Sequence, residues 1–237
     1  MPKLIAALIR HGDYDQPPGV PSAHLPHPLT AKGRAQAQAL GEALATRERA
    51  GEFRIAARID TSTLRRAWET GRIIAKVLQA ELGRTFEIVS FDALCERSLG
   101  AMANLSVDEI ARIIADDPRY EALPEGWKSQ STRKLPVLGA ESLLEAGARV
   151  ATHVDGRLRG LTELAEAAEE DTLKLFVSHG AALRHAAVSL GTLALGQLPA
   201  LSMHHCQPVH VERRGDGTFS HHSGAWKIRA PKQAARD

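Results

Sequence analysis

The chain has 237 residues, 43% hydrophobic and 24% charged, with a formal net charge of +2. That length and apolar content are enough for a large α/β core, and the near balance of acids and bases excludes the basic footprint of a nucleic-acid or membrane-surface binder. Two cysteines, Cys95 and Cys206, exclude a disulfide framework. The first apolar run, Leu4 to Ile9, is too short for a signal peptide, and no stretch reaches the roughly 20 apolar residues of a membrane span, so a cytoplasmic protein is expected.

Leu4 to Ile9 predicts a buried strand that stops at Arg10-His11-Gly12. Asp13 to Pro28 holds five prolines and no helical period, so it is a long loop. Thr30 caps a helix running to about Ala50, and Ile55 to Ser62 reads as a second strand. From Leu64 to Leu82, apolar residues recur at three- and four-residue steps, giving a helix with one buried face. Phe86 to Ser90 is a third strand, and Ser106-Val107-Asp108-Glu109 has the capping-box pattern that opens a helix to about Asp116. Pro118 to Gly139 is irregular. A long amphipathic helix follows from Glu141 to about Glu169, then a strand over Leu173 to Val177 that ends at Ser178-His179-Gly180, then a helix to Leu190. Val209 to Arg213 and Thr218 to His222 form a hairpin, and the tail from 229 to 237 is polar and frayed. Strands alternating with helices predict a three-layer α/β/α sandwich around a largely parallel sheet, in a single domain over residues 1–237.

Ligands of open α/β sheets bind at the carboxyl ends of the strands, and two of the expected strands end in a histidine followed by a glycine. A neutral imidazole at His11 is a competent nucleophile for phosphorus, and Arg10 beside it offers a fork for phosphoryl oxygens. Gly12 allows close approach to the backbone. Ser62 to Thr70 marks a strand-to-helix turn, where free backbone N–H groups attract phosphate and an arginine adds two more donors. His179 sits at a similar turn. Glu96, in Leu94-Cys95-Glu96-Arg97-Ser98-Leu99-Gly100, supplies a carboxyl group. Set against a phosphate dianion, a carboxyl retains its proton through like charge and can pass it to a leaving alkoxide.

These segments, in this order, resemble the histidine phosphatase superfamily, which includes the cofactor-dependent phosphoglycerate mutases. The similarity covers almost the whole chain: Arg10-His11-Gly12, Leu29-Thr30 with Gly33 and Gln36, Ser62 to Thr70, Glu96-Arg97 with Gly100, Glu141-Ser142-Leu143, and His179-Gly180 with Leu183-Arg184. Each motif is common alone; the ordered set is specific. The resemblance implies a phosphoglycerate mutase-like fold. It implies that His11 becomes phosphorylated, that Arg10, Arg66 and His179 complete the phosphate pocket with Gly12 and Gly180 beside them, that Glu96 is the acid/base, and that Arg97 contacts substrate. Neither a metal nor another cofactor is expected.

Three departures from the mutase pattern favour a phosphatase acting on a small phosphomonoester: Pro17 stands where mutases carry an asparagine, the segment Trp127 to Lys134 matches their lid poorly, and Ala181 replaces an asparagine after His179-Gly180. A cofactor-dependent phosphoglycerate mutase is the alternative, and a non-catalytic phosphate-binding regulator a more distant one. The expected partner is a small phosphorylated metabolite. The sequence leaves the oligomeric state open, with a dimer as one option. His24, His27, Trp127, Lys128 and Arg133 are candidates for the pocket rim, and the histidines at 204, 205, 210, 221 and 222 are expected to be exposed or packed in the hairpin.

Overall fold

The computed structural model describes residues 2–21, 23–161 and 170–230. In chain order these form β1 (Leu4–Arg10), α1 (Ala31–Arg49), β2 (Arg54–Ile55), β3 (Arg58–Ser62), α2 (Arg65–Leu82), β4 (Glu87–Phe91), α3 (Val107–Asp116), α4 (Leu143–Arg159), β5 (Thr172–Ser178), α5 (Gly180–Ser189), β6 (Leu201–Ser202), β7 (Val209–Arg213), β8 (Phe219–Ser223) and β9 (Lys227–Ile228).

The central sheet runs β4-β3-β5-β1-β7-β8, with β2 also paired to β5. Strands β1 to β5 pair in parallel, and β7 and β8 add an antiparallel edge. Alternation along β1 sends Ile5, Ala7 and Ile9 into a core shared with α1 and α2, and Ala6 and Leu8 into one shared with α4 and α5. The expected mixed α/β architecture, with helices around a mostly parallel sheet, is therefore the observed one. Among the described residues, no helix is long and apolar enough to cross a membrane.

Three expected elements differ. The strand expected over Ile55 to Ser62 is broken into β2 and β3, because Arg54 lies opposite Thr172 while Asp60 lies opposite Phe176. Six residues thus advance against four of β5, and the surplus bows out between the two pairings. The helix expected to reach Glu169 ends at Arg159, where the Gly160 and Leu161 N–H groups close it by donating to the carbonyls of Gly156 and Leu158; glycine is a poor residue for continuing a helix. The remainder of that expectation, 162–169, lies outside the described residues. The tail is tied down further than expected: β9 pairs with β6, and the Arg229 N–H and Nε donate to the carbonyls of Ala200 and Leu201. Residues 231–237 lie outside the description.

Between the sheet and α4 lies a buried ion cluster that the periodicity did not signal. Asp60 on β3 is fully buried and pairs with Lys174 on β5, which also donates to the Arg58 carbonyl. From α4, His153 Nε2 and Arg157 Nε donate to the second Asp60 oxygen at 2.9 and 3.0 Å. Burial alone would raise the Asp60 pKa; the His153 hydrogen bond and the Lys174 charge outweigh it and hold the carboxyl below its usual value. Burial moves Lys174 the other way, down to about 8. Removing one member of such a cluster leaves an uncompensated buried charge, so Asp60→Ala is expected to lower stability by about 3–5 kcal/mol in urea unfolding. A loss below about 1 kcal/mol would contradict this role.

Candidate active site

β1 and β5 are parallel neighbours in register, with Arg10 opposite Ser178. The pairing continues one step beyond the strands, where the His11 N–H donates to the Ser178 carbonyl at 3.0 Å. His11 and His179 therefore leave the sheet side by side, their ring centroids 5.1 Å apart. β3 ends on the other side of β5, and α2 begins just after it. From the first turn of α2, the fully buried Arg66 places Nε 3.1 Å from His11 Nε2. Its Nη1 and Nη2 donate to the carbonyls of Leu25 and Ala23 in the proline-rich loop, and its guanidinium lies 4.7 Å above the Tyr14 ring.

Two glycines allow this closeness. A Cβ on Gly12 would lie 2.5 Å from the Gly33 carbonyl oxygen, so the turn after β1 packs directly on the start of α1. The Gly12 N–H donates to Thr70 Oγ1, which in turn donates to the Arg66 carbonyl, tying the turn to α2. Gly180 leaves room for the Arg10 side chain, which reaches across it and donates through Nη1 to the Met203 carbonyl at 2.9 Å.

The tautomer of His11 follows from its partners. Nδ1 lies 2.7 Å from the Gly12 carbonyl, which can only accept, so Nδ1 carries the proton. Nε2 is left with its lone pair, facing Arg66. Burial, followed by the charges of Arg66, His179, Arg10 and His205, holds the His11 pKa well below the usual imidazole value. Burial, Arg66 and Arg10 do the same to His179. Both rings are held neutral near neutral pH. His179 Nε2 lies 2.9 Å from Ser62 Oγ, while its buried Nδ1 has no hydrogen-bond partner among the described residues.

Glu96 is buried against the N-terminus of α5. Its Oε1 accepts from the N–H groups of Ala182 and Arg97 at 3.0 and 2.9 Å, and its Oε2 accepts from Ala181 at 3.3 Å. The carboxylate thus takes the place at a helix start where an anion is favoured. It also lines a cavity of about 160 Å³ whose charged wall is Arg97, Lys128, Arg184 and Arg229. Of the residues expected at the rim, Lys128 lines this cavity and Trp127 is buried beneath Arg97 at 5.9 Å, while His24, His27 and Arg133 do not line it.

The structure brings Arg10, His11, Gly12, Arg66, His179 and Gly180 together at the carboxyl ends of β1 and β5, with Glu96 bound to the start of α5 just beyond them. His205, expected to be exposed or packed in the hairpin, joins them. His205 Nδ1 donates to the His11 carbonyl at 2.6 Å, and the two rings are 5.5 Å apart. The turn that carries it is held by the Cys206 N–H donating to the Arg10 carbonyl. No spacing rule links residues 194 positions apart, so the sequence held no signal for this contact.

The fold is that of a mixed α/β protein whose mostly parallel sheet sets two histidines side by side at adjacent strand ends, with a buried arginine from α2 against them. The chain belongs to the histidine phosphatase superfamily (branch 1), whose family model matches residues 6–224. It is 30% identical over 193 residues to 2,3-bisphosphoglycerate-dependent phosphoglycerate mutase 2 of Gloeobacter violaceus, covering 81% of this chain and 78% of that protein. Its fold is similar to that of a mycobacterial glucosyl-3-phosphoglycerate phosphatase, with a TM-score of 0.64 at 24% identity over 97% of this chain and 98% of the other. It is also similar to a phosphoglycerate mutase from Bacillus anthracis, with a TM-score of 0.69 at 17% identity over 94% and 92%.

The neutral histidines set a pH dependence of folding. His11, His179, His185 and His210 all have pKa values lowered by burial, that of His210 to about 4. Below the usual imidazole value the unfolded chain binds protons that the folded chain does not, so stability falls as pH falls. Urea unfolding of the ligand-free protein is expected to weaken by up to about 1.4 kcal/mol per histidine for each pH unit below about 6.5. A midpoint unchanged between about pH 7 and about pH 5 would contradict the buried neutral rings.

Proposed function

We propose that the chain is a phosphatase that hydrolyses a small phosphomonoester through a phosphohistidine at His11. The observation that carries this reading is the convergence of His11 Nε2, unprotonated and buried, with Arg66, Arg10 and His179 in one basic cluster. A phosphoryl group entering this cluster replaces the His11–Arg66 contact and lies across the guanidinium donors. Nε2 forms the N–P bond as the ester P–O bond breaks in line, and the cations hold the charge on the equatorial oxygens. Glu96 takes up a proton from solvent as the phosphoryl group enters, gives it to the departing alkoxide, then takes one from the water that attacks phosphohistidine. Inorganic phosphate leaves and both side chains are restored.

The cavity beyond Glu96 receives the organic part. It has apolar walls from Pro21, Leu99, Leu143 and Leu198 and four cationic side chains against the one acid, which supports an organic part with its own negative charge. Arg97 is 5% exposed, and burial lowers its pKa against the opposing pull of Glu96 and Glu141; a buried guanidinium in a cavity wall is best satisfied by an anionic ligand. The mutase reading stands second, on the 30% identity to the Gloeobacter violaceus enzyme.

Brief exposure to a labelled phosphodonor followed by a denaturing quench is expected to leave acid-labile phosphate on His11 in the wild type and none in His11→Ala. Steady-state assays then separate the two activities: the phosphatase reading expects turnover of phosphomonoesters without a bisphosphate primer. Fast mutase turnover of 3-phosphoglycerate plus primer with negligible hydrolysis would reverse the order, and phosphate binding without labelling would favour a non-catalytic regulator. Arg97→Ala is expected to raise KM about tenfold or more for esters with an anionic organic part while barely changing p-nitrophenyl phosphate. Equal losses on both would remove Arg97 from substrate recognition.

A further inference from the structure

His179 is the end of a hydrogen-bond chain whose direction is fixed by its far end. Asp92, exposed just after β4, has a carboxylate that only accepts, so Thr63 Oγ1, 2.8 Å away, donates its single proton to it. Thr63 Oγ1 also lies 3.1 Å from Cys95 Sγ. With the threonine proton committed, the Cys95 thiol must be the donor in that contact. Ser62 Oγ in turn donates to Cys95 Sγ at 3.3 Å and accepts the Leu64 N–H at 3.1 Å. One acceptor position remains on Ser62 Oγ, and His179 Nε2 fills it at 2.9 Å, as a donor. Every proton in the series His179, Ser62, Cys95, Thr63, Asp92 therefore points away from the imidazole.

Two consequences follow. The neutral His179 is the Nε2–H tautomer, and its buried Nδ1, which has no hydrogen-bond partner among the described residues, carries a lone pair. A lone pair repels a phosphoryl oxygen that has no hydrogen. For His179 to hold a phosphoryl group, Nδ1 must gain a proton, brought by a monoanionic ester or taken from solvent. The relay favours that gain, since each dipole presents its negative end to the ring and aligned hydrogen bonds strengthen one another. We propose that Ser62, Cys95, Thr63 and Asp92 are positioning residues that form a one-way relay, setting the His179 tautomer and enabling Nδ1 to take up a proton when a phosphoryl group binds.

The other groups around His179 oppose or modulate this uptake. Arg10 and His11 face it from the end of β1, His24 from the proline-rich loop, Arg66 from α2 and Arg149 from α4, with Glu96 held on the adjacent start of α5. Against the three arginines the empty ring stays neutral. The doubly negative phosphoryl group reverses the balance, and the relay sets how readily. Phosphate binding then consumes a proton and weakens as pH rises through the His179 pKa of the bound state. Cutting the relay lowers that bound-state pKa and moves the weakening to lower pH.

The proposal rests on the phosphate-site reading but is tested apart from it. Imidazole nitrogen NMR on the full chain, with and without inorganic phosphate, reads the tautomer and charge of His11 and His179, and the pH dependence of phosphate affinity is measured beside it. The wild type is expected to show Nε2–H alone on His179 when empty and both nitrogens protonated with phosphate. Thr63→Val, at an exposed position, is expected to weaken phosphate binding about tenfold at neutral pH and shift its alkaline limb down by about one pH unit; Thr63→Ser restores both. A proton on Nδ1 in the empty wild type overturns the relay, as does a Thr63→Val affinity profile that matches wild type. If phosphate moves neither ring, the phosphate-site reading fails and the proton uptake fails with it. A failed relay looks different, because phosphate then moves both rings alike in wild type and Thr63→Val.

Discussion

The parallel, in-register pairing of β1 with β5 is the constraint on which the site depends. It sets Arg10 beside Ser178 and carries the alignment one residue further, so that two histidines far apart in sequence leave the sheet at the same level. A one-residue slip would turn the side chains of a strand to the opposite face and break both cores as well as the site. The hydrophobic alternation of β1, with Ile5, Ala7 and Ile9 on one side and Ala6 and Leu8 on the other, is therefore what places His11. β3, on the far side of β5, brings Ser62 to the same edge and launches α2, from which Arg66 reaches back to His11.

Around this edge the protein gathers positive charge among buried side chains. A fully buried guanidinium is costly unless its donors are engaged, and the proline-rich loop meets that need with the carbonyls of Ala23 and Leu25 while Tyr14 covers the guanidinium face. The same environment holds His11 and His179 neutral, the state in which a lone pair can attack phosphorus. Glu96 is fixed by three backbone N–H groups, two of them at the start of α5, and lines the cavity beside it. Stability and chemistry thus pull in different directions, since buried neutral histidines and cations suit an incoming anion and strain the empty fold.

Much of this was legible in the sequence because it is carried by local patterns. Apolar runs, helical spacing and caps marked nearly every element, and the Ser106 capping box is formed, while the helix expected from Glu141 starts at Leu143 behind a Ser142 capping box that was not expected. The ordered motifs located the histidines, Arg66 and Glu96 because strand ends and helix starts are local events. What escaped depends on long-range geometry. The surplus residues between β2 and β3 show only against β5, and the pairing of β9 with β6 joins segments too short to carry a period. The contact of His205 with His11 and the cluster around Asp60 rest on side chains from distant elements, and no local pattern links them.

A crystal structure with orthovanadate tests the central claim most directly, because vanadate mimics the phosphoryl group in transfer. The account predicts vanadium bonded to His11 Nε2, with Arg66, Arg10 and His179 around its equatorial oxygens and its far apical oxygen beside Glu96. Vanadate seated away from His11, or a His11 ring whose Nε2 faces elsewhere in the complex, would contradict it.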